Sequence, residues 1–355
     1  MKTEDFNFDL PEELVAQYPA GERGGARLLV LDRSDGSRCH AAVADLPSFV
    51  EPGTLMVFND SRVRKARIYG EALDNGSSTE FLLLRRLGEA TWEAAATKLR
   101  RQRPGRRYFF PGGVEGVIEP SGDESRVAGD VRVASDESTR VLRFEPPIGE
   151  RWLEENGHIP LPPYIKREDA PSDAERYQTV FARETGSAAS PTAGLHFTPE
   201  LLFALRARGL GFASVTLHVG LGTFLPVRTD SIEDHRMHEE EYSVPPETAA
   251  AVAAAKAEGR PVLAVGTTSL RTLESAWSEA EGAVAPGPGR TRIFIYPGYQ
   301  FRVVDRLFTN FHTPRSTLLM LVSAFAGRER IMEAYAEAVR MEYRFFSYGD
   351  AMLIK

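Results

Sequence analysis

The chain has 355 residues, with 43 Lys and Arg against 50 Asp and Glu, a formal net charge of −7, and one cysteine. One cysteine excludes an internal disulfide, an iron–sulfur cluster or a cysteine-rich zinc site built from this chain alone, and it favours a reducing compartment. No apolar run reaches 18 residues, so no membrane partner is expected, and the acidic N-terminus lacks a signal-peptide core. The length predicts two domains.

The first part of the chain predicts buried strands. Residues 27–32 (RLLVLD) and 55–59 (LMVFN) are apolar runs of strand length, and Pro52-Gly53 is a turn signal before the second run. A segment dense in positive charge follows at 61–67 (SRVRKAR).

The character of the sequence changes between about residues 68 and 144. Short alternating runs, among them 126–128 and 131–133, recur between Gly, Asn, Ser and Asp residues, and no amphipathic helical period appears. This pattern predicts a small β-barrel or sandwich. Six basic residues lie between positions 98 and 107 without an acidic residue among them, which fits either a solvated loop or a nucleic-acid contact.

Strands alternate with helices after about residue 175. Thr198 is a typical N-cap for a helix over 199–208, and buried strands are predicted at 211–219, 260–266 and 291–296, the last after a flexible loop at 285–289. The pattern predicts a largely parallel sheet covered on both faces. We therefore predict the α/β class, with a layered α/β main domain that is discontinuous in sequence (1–66 and 151–355) and an inserted small β-barrel domain (67–150).

Ligand sites in open α/β sheets lie at the carboxyl ends of the strands. Four predicted strands end in polar or glycine-containing segments, at 59–62 (NDSR), 218–223 (HVGLGT), 266–271 (GTTSLR) and 309–312 (TNFH). Four such segments together predict a ligand pocket at the carboxyl ends of the strands. The segment Gly266–Thr268 opens a helix and offers free N–H groups to a carboxylate or a ribose hydroxyl, although an ordinary capped helix has the same pattern.

Histidines supply the candidate proton-transfer groups, because imidazole titrates near neutrality. His196 precedes a helix and His218 lies near a strand end. His235 and His238, beside Glu239, have a spacing that a metal site would accept, but the segment lacks the HExxH pattern and fits a hydrogen-bonded loop equally well.

Ten segments, in the same order over nearly the whole chain, resemble the S-adenosylmethionine:tRNA ribosyltransferase-isomerase family of the queuosine pathway. They include 55–62 (LMVFNDSR), 159–165 (IPLPPYI), 191–198 (PTAGLHFT), 215–224 (VTLHVGLGTF), 234–238 (DHRMH), 264–274 (AVGTTSLRTLE), 309–321 (TNFHTPRSTLLML) and 343–352 (YRFFSYGDAM). The chain departs from the family pattern at 61–66 (SRVRKA, usually TRVIPA) and at Thr313, which is usually Leu.

The resemblance implies a monomeric enzyme of the bacterial cytoplasm with an α/β domain and an inserted β-barrel. The implied reaction transfers and isomerises the ribosyl group of S-adenosylmethionine onto 7-aminomethyl-7-deazaguanine at the tRNA wobble position. Epoxyqueuosine-tRNA, adenine and methionine are the implied products. S-adenosylmethionine is consumed as a co-substrate, and no metal is expected.

The resemblance and the motifs together give expected roles for twenty residues. We expect His196 and His218 to transfer protons, with Asp60 orienting them. We expect the carboxylate or ribose of S-adenosylmethionine to bind to Gly266, Thr267, Thr268 and Arg271. The expected contacts with the modified base or the co-substrate are Asn310, His312, Arg315, Ser316, Tyr348 and Asp350. The expected tRNA contacts are Arg62, Arg64, Lys65, Arg100, Arg101, Arg103 and Arg107.

Two other readings remain open. One is a tRNA-binding module without activity, which would not release adenine. The other is a metal hydrolase built on His235, His238 and Glu239.

Overall fold

The computed structural model describes residues 1–120, 139–220, 227 and 229–355. The predicted strands at 126–128 and 131–133, and part of the 215–224 motif, lie outside these residues. The chain divides into two compact units, the first being Met1–Arg62 with Pro162–Lys355 and the second Val63–Leu161. Among the described residues, no helix combines the length and the apolar character needed to cross a membrane.

The described elements are numbered here in chain order. The strands are β1 (Arg27–Leu31), β2 (Arg38–Ala42), β3 (Leu55–Asn59), β4 (Ser61–Val63), β5 (Arg67–Ala72), β6 (Ser78–Arg86), β7 (Thr91–Ala96), β8 (Arg107–Phe110), β9 (Val114–Ile118), β10 (Arg140–Glu145), β11 (Glu184–Ser187), β12 (Gly211–Leu217), β13 (Glu240–Val244), β14 (Val262–Val265), β15 (Trp277–Ser278), β16 (Ala283–Val284), β17 (Gly287–Thr291), β18 (Arg306–Asn310) and β19 (Ala351–Ile354). The helices are α1 (Leu46–Phe49), α2 (Glu150–Asn156), α3 (Asp173–Arg176), α4 (Pro199–Ala207), α5 (Pro246–Ala257), α6 (Thr267–Ser275), α7 (Thr317–Ala326) and α8 (Arg328–Arg340).

The first unit is built on a nine-stranded sheet in the order β17-β13-β12-β3-β14-β18-β19-β1-β2. Its four central strands, β12, β3, β14 and β18, are parallel. All residues of β3 and β14 are buried, because helices cover both faces of the sheet. Burial on both faces explains why these strands are continuous apolar runs in the sequence.

Alternate residues of each central strand pack into different apolar cores. Val57 belongs to a core with residues of α5, α6, α7 and α8, whereas Met56 and Phe58 belong to a core with Leu46 of α1 and Leu201 of α4. Because side chains of a strand point alternately to opposite faces, one apolar run fills both layers.

One predicted strand is displaced in the structure. The edge strand β17 is Gly287–Thr291, where the sequence predicts a flexible loop, and the predicted strand at 291–296 is irregular. An edge strand tolerates Pro288, because only one side of it pairs. At Gly289 a Cβ would lie 2.4 Å from Tyr242 Cζ, so the tyrosine ring requires glycine there.

The second unit is a closed six-stranded antiparallel barrel in the order β10-β7-β6-β5-β8-β9. Its core holds Trp92, Tyr108, Phe110 and Phe144. Gly116 gives Phe110 the space that it occupies, since a Cβ at this glycine would lie 2.6 Å from Cε2 of the ring. The predicted fold class, α/β with an inserted barrel, is confirmed.

Candidate functional site

A cavity of about 670 Å³, open to solvent, lies at the carboxyl ends of β14 and β18 in the first unit. These strands are parallel neighbours, so the segments that follow them meet at one edge of the sheet. The described residues that line the cavity come from six parts of the chain: Tyr164; Ser190, Pro191, Thr192 and Ala193; Val219; Gly266, Thr267 and Thr268; Thr309, Asn310, Phe311, His312, Thr313 and Leu318; Phe346 and Ser347.

The N-terminus of α6 forms one wall of this cavity. Gly266, with φ of 88°, takes the N-cap position, and no side chain caps the helix. The hydroxyl oxygens of Thr268 and Ser190 are buried and have no hydrogen-bond partner among the described residues. Buried polar groups are nearly always hydrogen-bonded, so these two hydroxyls and the free N–H groups of the helix fit a polar ligand.

Asn310 links three segments of the cavity wall. Its Oδ1 accepts a hydrogen bond from Thr192 Oγ1 (3.0 Å), and its Nδ2 donates to the Phe346 carbonyl (3.1 Å) and to His196 Nε2 (3.0 Å). Burial, and next the charge of Arg23, lower the pKa of His196 to about 4. His196 is therefore a neutral acceptor that fixes Asn310 from behind the cavity wall.

His312 is the histidine that lines the cavity. Its Nε2 lies 3.0 Å from Thr309 Oγ1, and its backbone N–H donates to the Tyr335 hydroxyl (3.0 Å). Burial lowers the pKa of His312 to about 3, so the ring is neutral near pH 7. Because one ring nitrogen is held by Thr309, the other is left for a ligand.

The structure does not bring His218 or Asp60 to the described wall of this cavity. The ring of His218 lies against Gly186, where a Cβ would be 2.9 Å from its Cε1. Asp60 accepts hydrogen bonds from Arg183 Nη2 (2.7 Å) and Thr216 Oγ1 (2.7 Å). The buried carboxylate of Asp60 therefore holds other elements of the first unit in place.

Arg271 also lies away from the described cavity wall, although Gly266, Thr267 and Thr268 line it. Its Nη1 is 2.5 Å from Glu240 Oε2, and both side chains are almost fully buried. The neighbouring β13 supplies the carboxylate that neutralises this guanidinium. The Nε and Nη2 atoms of Arg271 are buried and have no hydrogen-bond partner among the described residues, so its contact with a ligand carboxylate stays a prediction.

Two expected substrate contacts belong to the start of α7 and the loop before it. Ser316 Oγ accepts a hydrogen bond from the Leu319 N–H (3.2 Å) and donates to the Thr313 carbonyl (2.7 Å), which makes Ser316 the N-cap of α7. Arg315 is more than half exposed, and its Nη1 lies 3.5 Å from Glu4 Oε2. The structure gives Ser316 a capping role and places Arg315 outside the described cavity wall.

Two further expected contacts near the C-terminus also have internal partners. The Tyr348 hydroxyl donates to Asp173 Oδ1 (2.7 Å), and Asp350 accepts hydrogen bonds from the backbone N–H groups of Arg27 (2.8 Å) and Arg344 (2.8 Å). Of the six expected substrate contacts, the described cavity wall contains Asn310 and His312.

The expected tRNA contacts form two groups. Arg64, Lys65 and Arg107 pair with Glu150, Glu154 and Glu115, all within the second unit. Arg62, Arg100, Arg101 and Arg103 are exposed and have no ion-pair partner among the described residues.

Three of these exposed arginines, Arg100, Arg101 and Arg103, lie in a loop at 97–106 whose conformation is fixed by hydrogen bonds within the barrel unit. Buried Gln102 donates through Nε2 to the Thr97 carbonyl (2.9 Å), and Arg140 Nε donates to the Gln102 carbonyl (2.9 Å). Arg140 Nη2 also donates to the Leu99 carbonyl (3.3 Å). These bonds use the loop's buried side, so the arginines at 100, 101 and 103 stay on the outside.

The residues of the alternative metal site have other neighbours. The ring of His235 packs edge-on against Phe294 at 5.3 Å, and Glu239 pairs with Arg290 (3.5 Å) and Arg292 (3.4 Å). In the described part of the chain, no group of three or more His, Cys, Asp or Glu residues is arranged to hold a metal ion.

Sequence reasoning missed Ser190, Thr192 and Ser347 as cavity residues. Thr192 lies in the motif at 191–198 together with His196, and its place in that motif is the sequence feature that could have identified it as a cavity residue. Ser347 likewise lies in the motif at 343–352, whereas Ser190 directly precedes the motif at 191–198 and carries no local pattern that separates it from other serines.

Comparisons with known proteins cover the whole chain. The sequence model of a family described as "Queuosine biosynthesis protein" matches residues 3–354. A protein of Treponema denticola and one of Clostridioides difficile, both named S-adenosylmethionine:tRNA ribosyltransferase-isomerase, are 50% and 48% identical to this chain, and each alignment covers 100% of both chains. A crystal structure of an S-adenosylmethionine tRNA ribosyltransferase from Thermotoga maritima aligns with a TM-score of 0.56 and 36% identity, over 99% of this chain and 100% of that one.

Proposed function

This chain belongs to the queuosine biosynthesis protein family, and from that premise we propose that it is an S-adenosylmethionine:tRNA ribosyltransferase-isomerase. It transfers and isomerises the ribosyl group of S-adenosylmethionine onto 7-aminomethyl-7-deazaguanine at the wobble position of tRNA. The products are epoxyqueuosine-tRNA, adenine and methionine. We place this reaction in the cytoplasm and assign it to a monomer.

The observation that carries the proposal is the convergence of family motifs on one cavity. The motifs at 191–198, 264–274 and 309–321 are far apart in sequence, and each contributes residues to the same wall. A cavity lined by both apolar and polar groups suits a nucleoside and a nucleobase.

The N-terminus of α6 supports a role in binding S-adenosylmethionine. Thr267 and Thr268 line the cavity at the first turn of α6, where helix N–H groups have no intrahelical acceptor, and the unpartnered hydroxyls of Thr268 and Ser190 add two hydrogen-bonding groups. Such groups bind a carboxylate or ribose hydroxyls without a metal. The positive sulfur of the co-substrate itself acidifies the adjacent 5′ C–H, so the reaction needs no metal or reductant.

Proton transfer in the cavity is the role that we propose for His312. The reaction requires a base for the 5′ C–H and an acid for the departing adenine. His312 lines the cavity with one ring nitrogen held by Thr309, whereas His196 acts through Asn310 as a positioning residue. For His218 and Asp60 the geometry supports structural roles.

We propose that the exposed arginines of the loop at 97–106 bind the tRNA backbone, together with Arg62. Phosphate contacts release counterions and make binding depend on salt, and they need charges that no protein carboxylate neutralises. Arg100, Arg101 and Arg103 meet this condition among the described residues, whereas Arg64, Lys65 and Arg107 have carboxylate partners. The three exposed arginines are therefore the stronger candidates.

Replacing Arg100, Arg101 and Arg103 together with glutamine should weaken tRNA binding and flatten its salt dependence. Each lost phosphate contact lowers the slope of log K against log salt by about 0.7 to 0.9. Fluorescence anisotropy with labelled tRNA at 50–300 mM salt measures both quantities. Arg151→Gln is the matched control, because this arginine is in the same unit, is 93% exposed and has a partner in Glu155. An unchanged slope in the triple variant would remove these residues from the interface.

The function is tested by incubating the purified chain with S-adenosylmethionine and an anticodon stem-loop that carries 7-aminomethyl-7-deazaguanine. Adenine and methionine should appear in equal amounts, and the mass of the RNA should rise by one transferred group. The same stem-loop with guanine lacks the nucleophilic amine and should give no modified RNA. Tight RNA binding without adenine release would indicate an inactive tRNA-binding module instead.

A further inference from the structure

A second cavity, of about 330 Å³ and open to solvent, lies in the same unit and has His196 in its wall. Ser347 lines both cavities. The residues around the second cavity include Arg23, Arg176, His196 and Tyr348. No expected contact with RNA or co-substrate accounts for its two arginines.

Arg23 and Arg176 bind each other's chain segments through backbone carbonyls. Arg23 donates to the carbonyls of Gln178 (2.9 Å) and Glu175 (3.2 Å), and Arg176 donates to those of Gly21 (3.3 Å) and Ala20 (2.7 Å). A guanidinium has five N–H donors, so each arginine retains donors beyond these bonds. The bonds hold both guanidinium groups beside the cavity.

The positive charge of these arginines is not neutralised by an ion pair with any described residue. Asp173, the buried carboxylate nearby, accepts bonds from Arg167 (2.6 Å) and Tyr348 (2.7 Å). The exposed Glu22 is the one acidic residue among those that line the cavity. Burial and then the charge of Arg176 lower the pKa of Arg23, and the exposed Glu175 acts in the opposite direction without forming an ion pair with Arg23.

We propose that Arg23 and Arg176 bind a backbone phosphate of the tRNA next to the modified nucleotide; this inference rests on the proposed function. Two guanidinium groups match a phosphate in charge and in hydrogen-bonding geometry. S-adenosylmethionine carries a sulfonium and an ammonium against one carboxylate, so a doubly positive cavity repels it, whereas RNA is attracted. A base in the first cavity remains covalently joined to its phosphates, and the second cavity is adjacent to the first.

The test uses the full chain with Arg23→Gln, Arg176→Gln and both together, and the same modified stem-loop as probe. Each single variant should raise the dissociation constant for RNA about five- to tenfold, and the double variant should lower the salt slope by about 0.7. The KM for RNA should rise in parallel with the dissociation constant, whereas the KM for S-adenosylmethionine should change much less. Arg330→Gln is the control, since Arg330 has a single backbone contact, to Ser34.

Other outcomes separate this inference from the proposed function. An unchanged RNA affinity and salt slope in the double variant, with normal adenine release, would overturn the phosphate site and leave the enzyme activity standing. A raised KM for S-adenosylmethionine with unchanged RNA affinity would make the cavity a carboxylate subsite and would also overturn the proposal.

Arg23→Lys and Arg176→Lys serve as folding controls, because both arginines bind backbone carbonyls. The lysine variants keep the positive charge, so the salt slope should remain at the wild-type value. A slope lowered equally in the lysine and glutamine variants would indicate lost folding and contradict the charge argument.

Discussion

Replacing His312 with alanine is expected to lower the rate of adenine release by about 10²- to 10⁴-fold, the usual contribution of a general acid or base. The physical reason is its position: His312 lines the cavity, and Thr309 holds one of its ring nitrogens at 3.0 Å. Single-turnover measurement of adenine with saturating RNA and S-adenosylmethionine reports this step. The affinity for S-adenosylmethionine, measured by calorimetry, should change much less.

His235→Ala is the matched control, because this histidine packs against Phe294 and has no part in the proposed reaction. His312→Gln tests the chemistry further, since glutamine can hydrogen-bond to Thr309 but cannot carry the proton. Activity within threefold of wild type in both His312 variants would contradict the assignment. Burial lowers the pKa of His312 to about 3. We therefore expect that His312 does not cause an inflection near pH 6.5 in the pH profile of kcat/KM.

The layered architecture could be predicted because it depends on local patterns. The apolar runs at 27–31 and 55–59 have strand length, and helix signals such as Thr198 before Pro199 precede the elements that the structure shows. The displaced strand at 287–291 could not be predicted from local sequence patterns. Its sequence, GPGRT, has low strand propensity, and it is a strand because β13 pairs with it and Tyr242 packs over Gly289.

The location of the candidate site could also be predicted, since it follows from topology. Gly266–Thr268 and Asn310–His312 follow neighbouring parallel strands, so their meeting at one edge needs only the strand order. The partner of a charged side chain cannot be predicted in this way. Arg271 pairs with Glu240 on an antiparallel strand, and Asp60 pairs with Arg183, and neither partnership leaves a local sequence signal.

Ser316 shows that a capping residue and a ligand contact can carry the same local sequence signal. Ser316 precedes an apolar helix, which is the usual context of an N-cap, and the structure shows that its hydroxyl accepts the Leu319 N–H. Family motifs mix residues that fold the protein with residues that touch the ligand. Separating the two requires the three-dimensional contacts.

Acidification from pH 7 to pH 4 is expected to lower the free energy of unfolding through two buried histidines. In the folded chain the pKa of His196 is lowered to about 4 and that of His312 to about 3, in both cases chiefly by burial. In the unfolded chain both titrate near 6.5. Below pH 6.5 the unfolded state therefore binds protons that the folded state does not, and stability falls by on the order of 3 kcal/mol per ring by pH 4.

Urea unfolding between pH 4 and pH 8 measures this dependence. Carboxylates also contribute to acid destabilisation, so the comparison of variants is what isolates the histidines. His196→Gln and His312→Gln should each reduce the slope of unfolding free energy against pH between 4.5 and 6 by about 1.2 kcal/mol per pH unit, and the double variant by about twice that amount. His238→Gln, a change at an exposed position, is the control. Equal slopes in wild type and the double variant would show that the two rings titrate in the folded protein as they do in the unfolded chain, which would contradict the lowering of their pKa values by burial.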